Sequence, residues 1–225
     1  MTLTRKLILC WICLLLVACG SSPFQVKNLA KTDIDMVSDA HYREVESLLR
    51  KLTVKLYKRN PRELHKGSDP TIEQRVSQIF DVPGRLQFAE LPVTGTQAIE
   101  LSVDPAYKGD RVFALVVGLT DMIRESYDYQ YDFYLFSELD HQKLYHSARN
   151  IEIALWRIAR GVDADNNPLI VMNSWRGERR NLSYERLFGK LIALQDMIAT
   201  ITAQKNQRVI KAVAQNVATM AFIPL

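Results

Sequence analysis

The sequence predicts a mainly α-helical bundle of about five or six helices, with an irregular Pro/Gly-rich segment and at most a minor strand pair. Apolar residues recur at alternating spacings of three and four in long stretches, as in Tyr42, Val45, Leu49, Leu52 and Leu56, which puts them on one stripe of a helix. Prolines and glycines fall mainly between such stretches, where they stop helices. Of the 225 residues, 48% are hydrophobic and 24% charged, a composition that excludes a disordered chain and a multi-span membrane protein. A chain of this size buries roughly 70% of its extended surface and needs no metal or disulfide staple.

The first helix is expected over about Asp35 to Lys58. Asn60-Pro61 stops it, because the residue before proline is pushed out of the α region. Asp69-Pro70 then reads as an N-cap followed by proline at the first helical position. Ile72, Val76, Ile79 and Phe80 would form the face of a short helix that ends by Pro83-Gly84. Six prolines and glycines between Val82 and Gly109 forbid a long helix there, and weak alternation suggests one short strand at Ala98–Val103.

Asp110 can cap a helix from Arg111 to about Ser126, built on Val112, Leu115, Leu119, Met122 and Ile123. Ser137-Glu-Leu-Asp140 has the outline of a capping box. Behind it Leu144, Ala148, Ile151, Leu155 and Ile158 keep the helical rhythm until Gly161. After a polar loop, Leu169–Met172 is a strand candidate. From Ser183 the pattern Leu187, Leu191, Leu194, Ile198, Ile201 returns. It fails at Lys205-Asn-Gln-Arg208, then resumes at Ile210, Val213, Val217 and Met220. One helix of about 50 Å or a helical hairpin would satisfy residues 190–223, and the hairpin gives the second apolar half a partner.

Domain organisation follows from the same pass. Residues 1–18 carry Arg5 and Lys6 before the apolar run Leu7–Ala18, the pattern of a secretory signal too short to span a bilayer as a helix. Residues 19–31 contain Gly20, Ser21, Ser22 and Pro23 without periodicity and read as a tether. Residues 32–225 form a single mainly helical domain, with the 82–109 segment as its one place for subdivision.

Leu16-Val17-Ala18-Cys19 resembles the lipobox of bacterial lipoproteins. That resemblance implies cleavage before Cys19, a diacylglycerol thioether on its sulfur and usually an N-terminal acyl chain. Two or more buried acyl chains hold a protein stably on a bilayer where one does not, since each methylene contributes about 0.8 kcal/mol. Gly20-Ser21-Ser22, with no Asp beside the cysteine, implies the outer membrane, with the domain facing the periplasm. Cys10 and Cys13 lie in the removed segment, so the mature chain has no cysteine pair. Its charge falls from +4 to +2, with 27 basic and 25 acidic residues. No basic block supports a nucleic-acid partner.

Three constellations bear on function. Tyr127–Phe136 holds six of the 20 aromatic residues in ten positions. As a strand it would separate Tyr127, Tyr129, Tyr131 and Phe133 from Asp128, Gln130 and Asp132. As a helix it would bring Glu125, Asp128 and Asp132 together. Tyr127, Asp128, Tyr131 and Asp132 are candidates for glycan binding, rings covering apolar sugar faces and acids accepting hydroxyl hydrogens. Asp128 and Asp132 are also the only hydrolytic pair suggested. The simpler alternative packs the rings in an inter-helix seam and leaves the acids in water. Trp175, Arg176, Arg179 and Arg180, with Arg186, could grip a lipid phosphate or an acidic partner patch, or form a solvated loop. Asp163-Ala-Asp165-Asn166-Asn167 imitates the opening of a calcium loop, but Pro168 replaces the required Gly and Ser174 the bidentate Glu, so an ordinary polar turn is expected.

His41, His65, His141 and His146 lack metal-ligand spacing, and neither a Gly-x-Ser-x-Gly elbow nor a phosphate-cradling Gly-rich loop occurs. No metal, no cofactor and no catalytic residue is assigned, and the reading leans against an enzyme. The expectation is a lipid-anchored envelope protein that binds another periplasmic or outer-membrane component as accessory or scaffold. Its partners are the bilayer, through acylated Cys19, and an envelope protein. A glycan-binding or glycan-hydrolysing protein is the alternative, and a lipid carrier a third.

Overall fold

The computed structural model describes residues 33–66, 70–133, 139–173, 178–179, 181–207, 210–211 and 221–225. The described part holds seven helices and no strand: α1 (Asp33–Arg59), α2 (Pro61–Leu64), α3 (Ile72–Phe80), α4 (Gly95–Ser102), α5 (Arg111–Ser126), α6 (His141–Arg160) and α7 (Ser183–Lys205). Among the described residues only the isolated bridges Phe88–Leu91 and Val162–Pro168 pair extended backbone. No described helix is long and apolar enough to cross a membrane. The signal, Cys19 and the tether lie outside the described residues.

α5 is the centre. Fifteen of its sixteen residues are buried, all but Glu125, so it is a core helix rather than an amphipathic surface one. α1, α2, α4 and α6 surround it, while α3 packs on α1 and α7 chiefly on α6 and on α1. The α1 stripe goes into the core as its spacing requires, Tyr42, Val45, Leu49, Leu52 and Leu56 all being buried. α5 starts and stops where the sequence places it. Asp110 accepts a hydrogen bond from the Phe113 N–H at 2.8 Å, satisfying one of the unpaired first-turn donors.

Several local expectations need correction. The N-cap of α3 is Thr71, not Asp69. Thr71 Oγ1 accepts from Gln74 N and Gln74 Oε1 accepts from Thr71 N, a capping box that leaves Pro70 outside the helix. The cap of α6 is Asp140 itself, whose carboxylate accepts from Gln142 N and Lys143 N; Ser137 lies outside the described residues. Leu169–Met172 forms no strand. Instead Asn60 clasps Val171, with Nδ2 donating to its carbonyl (2.8 Å) and Oδ1 accepting from its N–H (2.7 Å), so a side chain replaces a partner strand. α7 ends at Lys205 with Asn206 as its C-cap, where the apolar stripe fails. A single helix through residues 190–223 is therefore excluded. The second arm of a hairpin falls on residues 212–220, outside the described part.

The largest correction is α4, where a strand was expected. Gly95, Ala98, Ile99 and Ser102 are its buried residues, spaced as one helical face. Glycine at 95 and at 118 lets α4 lie close on α5. A Cβ on Gly118 of α5 would stand 2.7 Å from the Gly95 carbonyl oxygen and from both Ile99 N and Ile99 Cγ1, closer than any side chain tolerates. Gly189, in the second turn of α7, has nothing within 4 Å of such a carbon.

These two glycines give opposite predictions for the same substitution. Alanine is favoured over glycine inside a helix by about 1 kcal/mol, so Gly189→Ala should raise stability by roughly 0.5–1 kcal/mol. Gly118→Ala must push α4 off α5 and should lower stability by about 1–3 kcal/mol. Urea unfolding followed by circular dichroism measures both.

Candidate functional site

Outside α4 the 82–109 segment is irregular but held. Arg124 of α5 donates to the carbonyls of Val82 (2.8 Å) and Gly84 (3.1 Å) and reaches that of Ile79 at 3.5 Å. Asp121 accepts from Leu86 N at 2.9 Å. Arg111 donates to the carbonyls of Ser102 (2.9 Å), Asp104 (2.7 Å) and Tyr107 (2.7 Å). Neither α3 nor α4 has a basic residue in its own last turn. Arg124 and Arg111 supply the positive charge that the carbonyl end of each helix favours.

This arrangement shapes a cleft of about 800 Å³ between α2, the 105–108 loop and the 163–171 turn. On one wall Glu63 accepts from Arg111 N at 2.7 Å and pairs with Lys66 at 2.6 Å. Arg59 is bound to Glu178 and donates to the Asn173 carbonyl. Arg62 and Lys108 are exposed and have no ion-pair or hydrogen-bond partner among the described residues. The opposite wall is the 163–167 turn, a closed Asx motif. Asp163 Oδ1 accepts from Asp165 N (2.9 Å) and Asn167 N (2.8 Å). The Asn167 hydrogen bonds hold the Asp163 carboxyl below its ordinary range. Arg62 and Lys108 leave two uncommitted cations at a cleft mouth, a setting that favours an anionic group. No sequence pattern signals them: Arg62 follows a helix-starting proline and Lys108 sits in a proline-led loop.

The Tyr127–Phe136 stretch is neither of the regular forms its sequence allows. Tyr127 caps α5, and Asp128 and Tyr129 both take positive φ (51° and 57°), a conformation rare outside glycine that turns the chain back over the core. Tyr127 and Phe133 are buried, and Tyr131 half-buried, with ring centroids 5.1, 6.4 and 5.6 Å from Tyr42 of α1 in edge-on geometry. Tyr127 and Phe133 thus offer no face to a sugar ring. Asp128 and Asp132 are exposed, with Asp128 2.7 Å from Lys143 Nζ. Residues 134–138 lie outside the described part. So do Trp175, Arg176 and Arg180; Arg179 is exposed.

Tyr127 also ties α1 to α7. Its hydroxyl lies 3.0 Å from His41 Nδ1 and 3.0 Å from the Gln195 side-chain amide, and His41 Nε2 lies 2.6 Å from the Leu194 carbonyl. Burial lowers the His41 pKa, so the ring is neutral, donates from Nε2 to Leu194 and accepts the Tyr127 proton at Nδ1. Turning the Gln195 amide over, so that its nitrogen instead of Oε1 faces the hydroxyl oxygen, completes this arrangement and moves the amide's partnerless atom from nitrogen to oxygen.

A second buried network closes the floor behind α3. Tyr57 donates to Asp110 Oδ2 at 2.9 Å, and Arg75 Nε stands 3.8 Å from the same oxygen. Arg75 is 1% exposed; it forms a two-pronged pair with Glu90 (2.5 and 3.0 Å) and lies 4.4 Å above the Phe113 ring. The network is sealed from solvent on the Arg75 side and acts as structure. Among the described residues no group of three His, Cys, Asp or Glu is placed to hold a metal. No family model matches this chain, and no curated protein or solved structure matches it either.

Burial pushes the Asp110 carboxyl from its ordinary 3.8 up to about 6. The folded state therefore binds this proton more tightly than the unfolded chain, and Asp110 lowers stability as pH rises from about 4 to 6. Asp110→Asn keeps the helix cap and removes the titration. Wild type should lose on the order of 1–3 kcal/mol relative to the variant across that window, read by urea unfolding at each pH; a constant difference would contradict it.

Proposed function

We propose that the chain is a lipid-anchored protein of the bacterial cell envelope, on the outer membrane facing the periplasm, that works by binding a protein component there. The lipobox-like Leu16–Cys19 behind Arg5, Lys6 and an apolar run supports the anchor. Helix α1 begins at Asp33, so residues 20–32 can hold the domain at most about 45 Å from an acylated Cys19. The observation that carries the binding role is the cleft beside α2, where Arg62 and Lys108 have no charged partner among the described residues while Arg59 and Lys66 are neutralised by Glu178 and Glu63. Charges left uncommitted at a concave surface are suited to an acidic patch on a partner. The cleft walls are rich in charged groups, which disfavours carriage of an acyl chain. The burial of Tyr127 and Phe133 weakens the glycan alternative.

Two experiments test this reading. Cells fed a clickable palmitate analogue should yield labelled wild-type protein and unlabelled Cys19→Ser. Reversible crosslinking on intact membranes should then recover a defined envelope protein with wild type, and at least tenfold less of it with Arg62→Glu/Lys108→Glu at native circular dichroism. Full recovery with that double variant would remove the cleft from the account.

A further inference from the structure

The cleft beside α2 selects for more than charge. Five of its lining residues are cationic (Arg59, Arg62, Lys66, Lys108 and Arg111) and three are acidic (Glu63, Asp163 and Glu178), an excess of two positive charges. Three of the cations are already committed: Arg59 to Glu178, Lys66 to Glu63 and Arg111 to loop carbonyls. Asp163 is closed within its own turn. The excess therefore falls on Arg62 and Lys108, both exposed. On the same rim the Arg59–Glu178 pair shows what such a cation takes, a carboxylate.

The cleft also offers apolar surface. Tyr107, Pro168, Leu169 and Val171 line it and are half-buried, so part of each stays open to an occupant. These residues are held from behind. Arg111 donates to the Asp104 and Tyr107 carbonyls at 2.7 Å each, Asn60 clasps both main-chain groups of Val171, and Leu169 N donates to the Gly161 carbonyl at 2.9 Å. A surface fixed in this way loses little conformational freedom on binding. The volume of about 800 Å³ lies in the range of roughly 300–1,000 Å³ for sites that enclose a small ligand. The occupant is therefore a short segment and not a broad protein face.

Position decides between a lipid headgroup and a protein carboxylate. The cleft opens where α1 ends at Arg59 and α5 begins at Arg111, whereas the chain from Cys19 enters α1 at Asp33. The 27 residues of α1 put about 40 Å between those ends. The two cations thus stand at the end of the domain remote from the point of anchoring. A headgroup, moreover, brings no side chain for Tyr107 and Leu169. We propose that the cleft takes a short extended peptide segment of the partner, with carboxylates on Arg62 and Lys108 and an apolar side chain against Tyr107 and Leu169. This rests on the protein-binding role proposed above and names the chemistry of what is bound. Acidic segments are read in this way by clusters of cations.

The test is fluorescence anisotropy of labelled hexapeptide pools against the full chain in detergent. The first pool has Asp or Glu on either side of a central pair drawn from Leu, Val, Ile and Phe. It should bind saturably, and Arg62→Ala/Lys108→Ala should weaken it at least tenfold. A second pool with Asn and Gln for the acids should bind at least tenfold more weakly than the first. A third with Ser for the apolar pair should bind several-fold more weakly, and Leu169→Ser at native circular dichroism should shrink that difference. No saturable binding of the first pool, or equal binding of the first and third, overturns the proposal. Displacement of the first pool by dihexanoyl phosphatidylglycerol at a tenfold lower concentration than by unlabelled pool overturns it in favour of a headgroup. The membrane crosslink separates this proposal from the reading beneath it. If Arg62→Glu/Lys108→Glu loses the partner while the first pool fails to bind, the cleft keeps its protein-binding role and the peptide proposal falls. If the partner stays crosslinked in that variant, the binding role falls and takes the proposal with it.

Discussion

Helix α5 has almost no solvent face, so every charged group that it carries except half-buried Glu125 has to be met inside the protein. An unpaired buried charge is strongly destabilising, whereas a hydrogen bond to a charged group contributes about 1.5–3 kcal/mol. Arg111, Asp121 and Arg124 meet this constraint in one way: they bond to main-chain groups of the segments that have no regular structure of their own. The 82–86 and 102–107 stretches contain the carbonyls and N–H groups that helices or strands would otherwise satisfy. The central helix thereby folds its surroundings. Its arginines also cap α3 and α4 from outside, which explains why neither helix ends on a cation of its own.

What the sequence discloses follows from how local each signal is. The α1 and α5 boundaries were legible because Asn60-Pro61, Asp110 and the 3/4 spacing all act within a few residues. The α4 helix is hidden in the sequence because, Ile99 apart, its buried face is made of Gly95, Ala98 and Ser102, too small or polar to register as an apolar stripe. Its logic lies in Gly118, across the interface. Asp69-Pro70 was a plausible cap that lost to Thr71 and Gln74, a reciprocal pair with two bonds instead of one. The aromatic run could not be resolved by period, because two left-handed residues at 128 and 129 break both patterns.

The candidate sites show the same divide. Tyr127 stands out in sequence for its neighbours, yet it is defined by His41, Gln195 and Tyr42, which lie more than sixty residues away. Arg62 and Lys108 carry no signal, since they matter only where α2 and the 105–108 loop converge. Side-chain amides recur as substitutes for strand pairing: Asn60 on Val171, Asn150 on Ile223 and Gln142 on Lys211. The described helices can in this way hold extended segments against their surface without a partner strand.

Hydrogen–deuterium exchange in wild type and Arg111→Met reads the governing constraint directly. If α5 holds the irregular segment through its buried charges, amides of residues 102–109 should exchange at least tenfold faster in the variant, while those of α6 and α7 keep wild-type rates. Unchanged protection across residues 102–109, or acceleration spread evenly over every helix, would contradict it.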